Sequence, residues 1–232
     1  MAERIKGLSS MATKGLLAEL SDAVERQRSL SVRFESAGGV EVAHNIRAGA
    51  QADLVVLSQE AMADLDADGL VQPGTLRPLF SSDVVAAVPE GAAPLSLSTE
   101  DDLRVALTDA GRIAYSTGPS GTALVDLVER WELSEAVAHK LVQANPGTPV
   151  GSLLAAGEAD LGFQQRSELS DVAGILVLGP LPGAAAIRST FSGAVLVRST
   201  NAESAVEVLE FFGSKDADAL VLAAGMMSAR TR

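Results

Sequence analysis

Three times within roughly the first seventy residues the chain reads as a short apolar segment, a turn of serine or glycine, and an amphipathic stretch. No other feature limits the fold as much. In the first unit Arg4–Leu8 alternates apolar with charged residues, Ser9-Ser10 follows, and Leu16, Leu17, Leu20 and Val24 then share one helical face. The second is a strand at Leu30–Phe34, a turn at Ser36-Ala37-Gly38-Gly39 and a helix over Val40–Ala48 stopped by Gly49. In the third, Asp53–Leu57 is a continuous apolar strand, Ser58 an N-cap, and Gln59–Asp68 a helix closed by Gly69. A strand reaches a parallel neighbour only through a long crossover, usually helical, so successive strand–helix units predict a parallel sheet flanked by helices.

Beyond Pro73-Gly74 the pattern predicts strands at Leu76–Phe80 and Asp83–Val88, a helix through Leu103–Thr108 and a strand at Arg112–Tyr115. The turn Ser116–Gly121 then opens a helix carrying Leu124, Leu127, Val128 and Trp131. Helices over Ser134–Gln143 and Val150–Ala156 and strands at Asp160–Gln164, Gly174–Val177 and Ser192–Val197 come next. Two final helices, Ala202–Phe212 and Asp216–Ala224, bring no strand with them and are expected to cover the first sheet. The fold class expected is α/β with two lobes, each a mostly parallel sheet flanked by helices. Residues 1–84 plus 187–232 form a discontinuous first lobe around an inserted lobe of 85–186, with two hinge crossings.

Composition narrows the function. The 232 residues are 47% hydrophobic and 21% charged, the balance of a folded protein, and at 3% aromatic the core is filled by Ala, Val and Leu. The net charge is −12 and no run of Lys or Arg occurs, which argues against a nucleic-acid partner. A small anion held locally by backbone N–H groups remains compatible with that charge. Cysteine is absent and the two histidines, His44 and His139, are far apart in sequence, so no disulfide, thiolate nucleophile or metal site is expected, and no cofactor is implied. No apolar stretch of signal or membrane-spanning length opens the sequence, from which a cytoplasmic protein without membrane insertion is expected, or a periplasmic one if a leader has been removed.

In an open parallel sheet the strand-to-helix turns gather at one edge, where unpaired N–H groups of helix starts meet a ligand. The candidates are Ser9 and Ser10, then Ser36 with Gly38 and Gly39, then Ser58, and in the second lobe Thr117, Gly118, Ser120 and Gly121. Hydroxyls add donors, and glycines admit close approach of the backbone. Helix capping is the ordinary use of such serines; it is their clustering that points to an anion. The run Thr117–Gly121 lacks the glycine spacing and the lysine of a nucleotide-binding P-loop. For a proton-transfer group the sequence offers Lys14, Glu35, His44 and Glu60, of which Lys14 and His44 are the candidates retained.

Phe34–Gly39, Ile46–Ser58 and Ala156–Phe163 resemble the molybdate-binding branch of the type 2 periplasmic-binding-protein-like family over almost the whole chain. The resemblance implies an anion in the cleft between the lobes, held by Ser9 or Ser10, by Ser36, by the Ser120-Gly121 turn and by the strand end Gln164-Gln165. Gln165 stands where that branch usually has tyrosine, and an amide suits a carboxylate as well as a metal oxyanion. Relatives of this fold include cytosolic enzymes similar to aconitate isomerase, which move a double bond in a tricarboxylate by moving a proton. An isomerase or tautomerase of a small unsaturated polycarboxylate is therefore one expectation. The other is a non-catalytic binder of molybdate, another oxyanion or an organic anion, acting as a sensor or serving an ABC permease.

Overall fold

A computed structural model describes residues 4–93 and 95–230. Residues 1–3 of the expected leaderless start and residues 231–232 of the expected first lobe lie outside the described residues. The chain divides into two compact units, Met1–Ser81 with Thr190–Arg232, and Ser82–Ser189.

The first unit opens with β1 (Ile5–Ser10), a 3-10 turn at Met11–Thr13, α1 (Lys14–Arg28), β2 (Val32–Ala37), α2 (Gly39–Arg47), β3 (Leu54–Ser58) and α3 (Gln59–Ala67). β1 lies between β2 and β3 and is parallel to both. Gly49 and Gly69, at φ 95° and 69°, supply the left-handed residues that end α2 and α3. Because strand side chains alternate faces, Leu54 and Val56 join the cluster under α1, where Leu17, Leu20 and Val24 are buried. Val55 and Leu57 face the other way, against Val42 and Ile46 of α2 and Met62 and Leu65 of α3. Burial on both faces is why this strand reads as an unbroken apolar run.

β4 is one strand, Arg77–Pro89, where two were expected. Ser81 and Ser82 look like a break in the apolar pattern, but the backbone stays extended because Ser81 finds a pairing partner in the last strand of the chain. Residues up to Ser81 belong to the first unit and the rest of β4 to the second.

The second unit continues with α4 (Glu100–Asp109), β5 (Ile113–Tyr115), α5 (Pro119–Arg130), α6 (Ser134–Val137), a 3-10 turn at Ala138–Lys140 and β6 (Leu141–Gln143). Then come α7 (Val150–Ala155), β7 (Leu161–Gln165), α8 (Arg166–Leu169) and β8 (Ile175–Pro180). β5 sits between β6 and β7, parallel to both, and β4 pairs antiparallel with β7 and β8. The helix expected over Ser134–Gln143 stops at Val137. Leu141 lies four residues on and mimics helical spacing, yet Leu141-Val142-Gln143 pairs with Ile113–Tyr115 as an edge strand.

β9 (Arg188–Val195) re-enters the first unit, starting four residues earlier than the expected Ser192, and pairs antiparallel with β3. α9 (Ala202–Phe212) and α10 (Asp218–Ala223) pack Leu209, Phe212 and Val221 into the cluster under α1. β10 (Met227–Ser228), which pairs with Phe80–Ser81, was not expected because two residues carry no periodicity.

Candidate functional site

In the first unit the parallel register puts Ser9 opposite Ser36 and Ser10 opposite Ala37 at the C-terminal ends of β1 and β2. Ser9 is fully buried, and its hydroxyl shares a hydrogen bond with that of Ser36 at 2.8 Å. Two hydroxyls carry two protons and this bond uses one, so the pair keeps a donor for a ligand oxygen. Ser10 Oγ is buried and has no hydrogen-bond partner among the described residues. A β-carbon on Gly39 would lie 3.8 Å from that of Ser10, and one on Gly38 would meet nothing within 4 Å. The start of α2 is therefore open beside the serines. None of the residues preceding the 3-10 turn, α2 or α5 makes a side-chain cap, whereas Ser58 does, accepting the Ala61 N–H at 3.4 Å. Ser58 is thus occupied as a cap, whereas the caps of α2 and α5 are the glycines Gly38 and Gly118.

Lys14 is exposed at the first residue of α1, and His44 is exposed on α2. Glu35 is exposed and pairs with Lys6 at 3.1 Å, and Glu60 is exposed on α3. A shallow depression beside α2 is lined by Lys6, Glu35, Ser36, Glu41, Asn45 and Gln51 among others. Two carboxylates against one ammonium make it a poor receptacle for an anion.

In the second unit Tyr115, the last residue of β5, stands opposite Phe163 of β7, so Ser116 leaves β5 at the level where β7 continues into Gln164. The hydroxyls of Ser116 and Ser120 share a hydrogen bond at 2.8 Å, here within one turn rather than across two strands. Gly118 precedes α5, Thr117 is exposed, and Gly121 packs so tightly that a β-carbon there would lie 1.8 Å from the Ser116 carbonyl oxygen. Glycine at 121 is what allows this turn to close.

The two glutamines take different partners. Gln164 accepts the Val150 N–H through Oε1 at 2.7 Å and donates through Nε2 to Glu168 at 2.9 Å. Gln165 donates to Ser189 Oγ at 2.6 Å, and its Oε1 is buried with no partner among the described residues, as is Ser82 Oγ. Burial pushes the Glu168 carboxyl up to about 7, and the Gln164 amide offsets only part of that.

The sequence candidates Ser9 and Ser36 are brought together, while Lys14 and His44 are exposed on helices. In the sequence Ser116 stands out only as the start of the Ser116–Gly121 turn, and neither Ser189 nor Glu168 is singled out. Ser116 precedes Ser120 by four residues and Glu168 follows Gln164 by four, a spacing that was available as a signal; Ser189 lies 24 residues from its partner and carried none. Among the described residues no group of His, Asp and Glu could hold a metal ion, and no helix is long and apolar enough to cross a membrane.

Residues 5–227 match the family of bacterial extracellular solute-binding proteins. An aconitate isomerase from a Pseudomonas species is 32% identical over 216 residues, covering 90% of this chain and 82% of that protein. The periplasmic molybdate-binding protein of Azotobacter vinelandii superposes with a TM-score of 0.81 at 20% identity, covering 98% of this chain and 100% of that one. A sulfate-binding protein of Mycobacterium tuberculosis gives 0.74 at 19% identity, covering 97% and 87%. These structural likenesses establish the fold of the two-lobed periplasmic binding proteins.

Proposed function

Because the chain belongs to the bacterial extracellular solute-binding protein family, we propose that it binds a small di- or tricarboxylate-like anion and moves a proton, and with it a double bond, in that acid. The observation that carries this reading is the 32% identity to an aconitate isomerase across 90% of the chain. The local chemistry supports it. In the first unit two serine hydroxyls 2.8 Å apart join the ends of parallel strands β1 and β2 beside the glycines that open α2. In the second, two hydroxyls 2.8 Å apart span a single turn, from Ser116 after β5 to Ser120 in the first turn of α5, which Gly118 precedes. Hydroxyl and N–H donors hold carboxylate oxygens, and the same donors stabilise the extra negative charge that develops when a proton leaves the carbon chain. With a net charge of −12, the protein relies on these local donors rather than on its overall field to capture an anion.

The second reading, a non-catalytic binder of molybdate or another oxyanion, with an ABC permease as partner, is favoured by the TM-score of 0.81 to a molybdate-binding protein. One experiment separates them. The protein is incubated with cis- or trans-aconitate and related acids in deuterated water and followed by NMR. Deuterium incorporation or isomerisation is expected. Absence of both with every acid tested, together with thermal stabilisation by molybdate or sulfate, means the binder reading is right.

A further inference from the structure

We infer that Glu168 is the carboxyl that takes the proton from the bound acid and returns it, held in position by Gln164. This inference rests on the isomerase reading above.

Three observations support it. The first is place: Gln164 follows the register pair Tyr115–Phe163 at the same level as Ser116, so Glu168, one turn further on, lies at the strand edge that carries the Ser116–Ser120 pair. The second is orientation. The Val150 N–H can only donate, so it fixes the carbonyl oxygen of Gln164 toward itself and turns the NH2 group toward Glu168, leaving one defined bond to the carboxylate. The third is the environment. The elements packed against α8 include β7 and α7, whose sequences LGFQQ and VGSLLA contain no charged side chain, and Arg166 at the start of α8 itself is exposed.

Asp53 provides the contrast. It is buried, and it accepts bonds from the Lys6 N–H, Ser199 and Asn201, which is how a structural carboxylate is kept ionised. Glu168 has the Gln164 amide and a carboxyl poised near neutrality, the condition under which one group serves as base and then as acid.

The step balances without a co-reactant. The Glu168 carboxylate takes a proton from the carbon next to the ligand's double bond. The C–H electron pair enters the conjugated system and its charge rests on the ligand's carboxylate oxygens. The Glu168 carboxylic acid then gives the proton to the far carbon of the three-carbon unit, so the double bond has shifted and Glu168 is ionised again.

The test uses Glu168→Gln, which keeps an oxygen for the Gln164 amide but cannot carry a proton. With trans-aconitate, exchange in deuterated water should fall by about a hundredfold or more, the usual loss for a general base, while calorimetric titration still detects binding. In the unaltered protein kcat/KM should rise with pH through an inflection near the raised carboxyl. Gln164→Leu, which removes the donor that favours the ionised form, should move that inflection upward. Exchange by Glu168→Gln at the unaltered rate overturns this assignment and leaves the isomerase reading standing. A pH profile of the unaltered protein that is flat between about 6 and 8 overturns it even if the variant does not fold. No exchange by the unaltered protein overturns both.

Discussion

Asp53 and Glu168 are carboxyls with opposite surroundings, and the difference has consequences for stability. Burial pushes Asp53 up, but the Lys6 N–H, Ser199 and Asn201 together hold it below the usual carboxylate range. A carboxyl depressed in the folded state stabilises that state above its unfolded pKa, and the contribution is lost as pH falls through the folded value. Asp53→Asn should therefore cost about 1–3 kcal/mol at pH 7, the range for disrupting buried bonds to a charged group. The gap between the variant and the parent in urea denaturation should narrow below about pH 4, near the unfolded carboxylate value. A gap that does not change with pH would mean that Asp53 acts through packing alone. None of this was legible in the sequence, because Ser199 and Asn201 lie about 150 residues from Asp53 and meet it only when β9 pairs with β3. The pairing of Ser9 with Ser36, by contrast, follows from reading two consecutive strand–turn–helix units as parallel neighbours.

At the scale of elements, the first three strand–helix units could be read because the hydrophobic period changes from two to about 3.6 at a serine or glycine in each. Where tertiary pairing overrode local pattern the reading failed: Leu141–Gln143 became an edge strand, β4 ran through two serines, and β10 formed from two residues. The turn before α5 shows how far an element depends on one residue. Gly121→Ala would put a methyl group 1.8 Å from the Ser116 carbonyl oxygen, so the first turn of α5 must shift away from β5. Overpacking of this kind costs about 1–3 kcal/mol, read in chemical denaturation, and the Ser116–Ser120 pair should separate with it. Unchanged stability would show that the turn has slack. Gly118→Ala, where a β-carbon would meet nothing within 4 Å, should cost less and provides the control.

For the molecule as a whole, two units built from chain segments 1–81 with 190–232 and 82–189 each carry a pair of serine hydroxyls 2.8 Å apart. In the first the pair joins the ends of parallel strands β1 and β2 beside α2, and in the second it spans the turn from the end of β5 into α5. Neither Ser36 nor Ser120 is an N-cap residue, those positions being Gly38 and Gly118, and holding an anion is the use we propose for their hydroxyls. Calorimetric titration of trans-aconitate against the parent, Ser36→Ala and Ser120→Ala is the most direct measurement. A hydrogen bond to a charged ligand contributes about 1.5–3 kcal/mol, so each variant should bind about tenfold more weakly or worse while melting close to the parent temperature. If either variant binds as tightly as the parent, its hydroxyl pair does not hold the anion and the account is wrong for that unit.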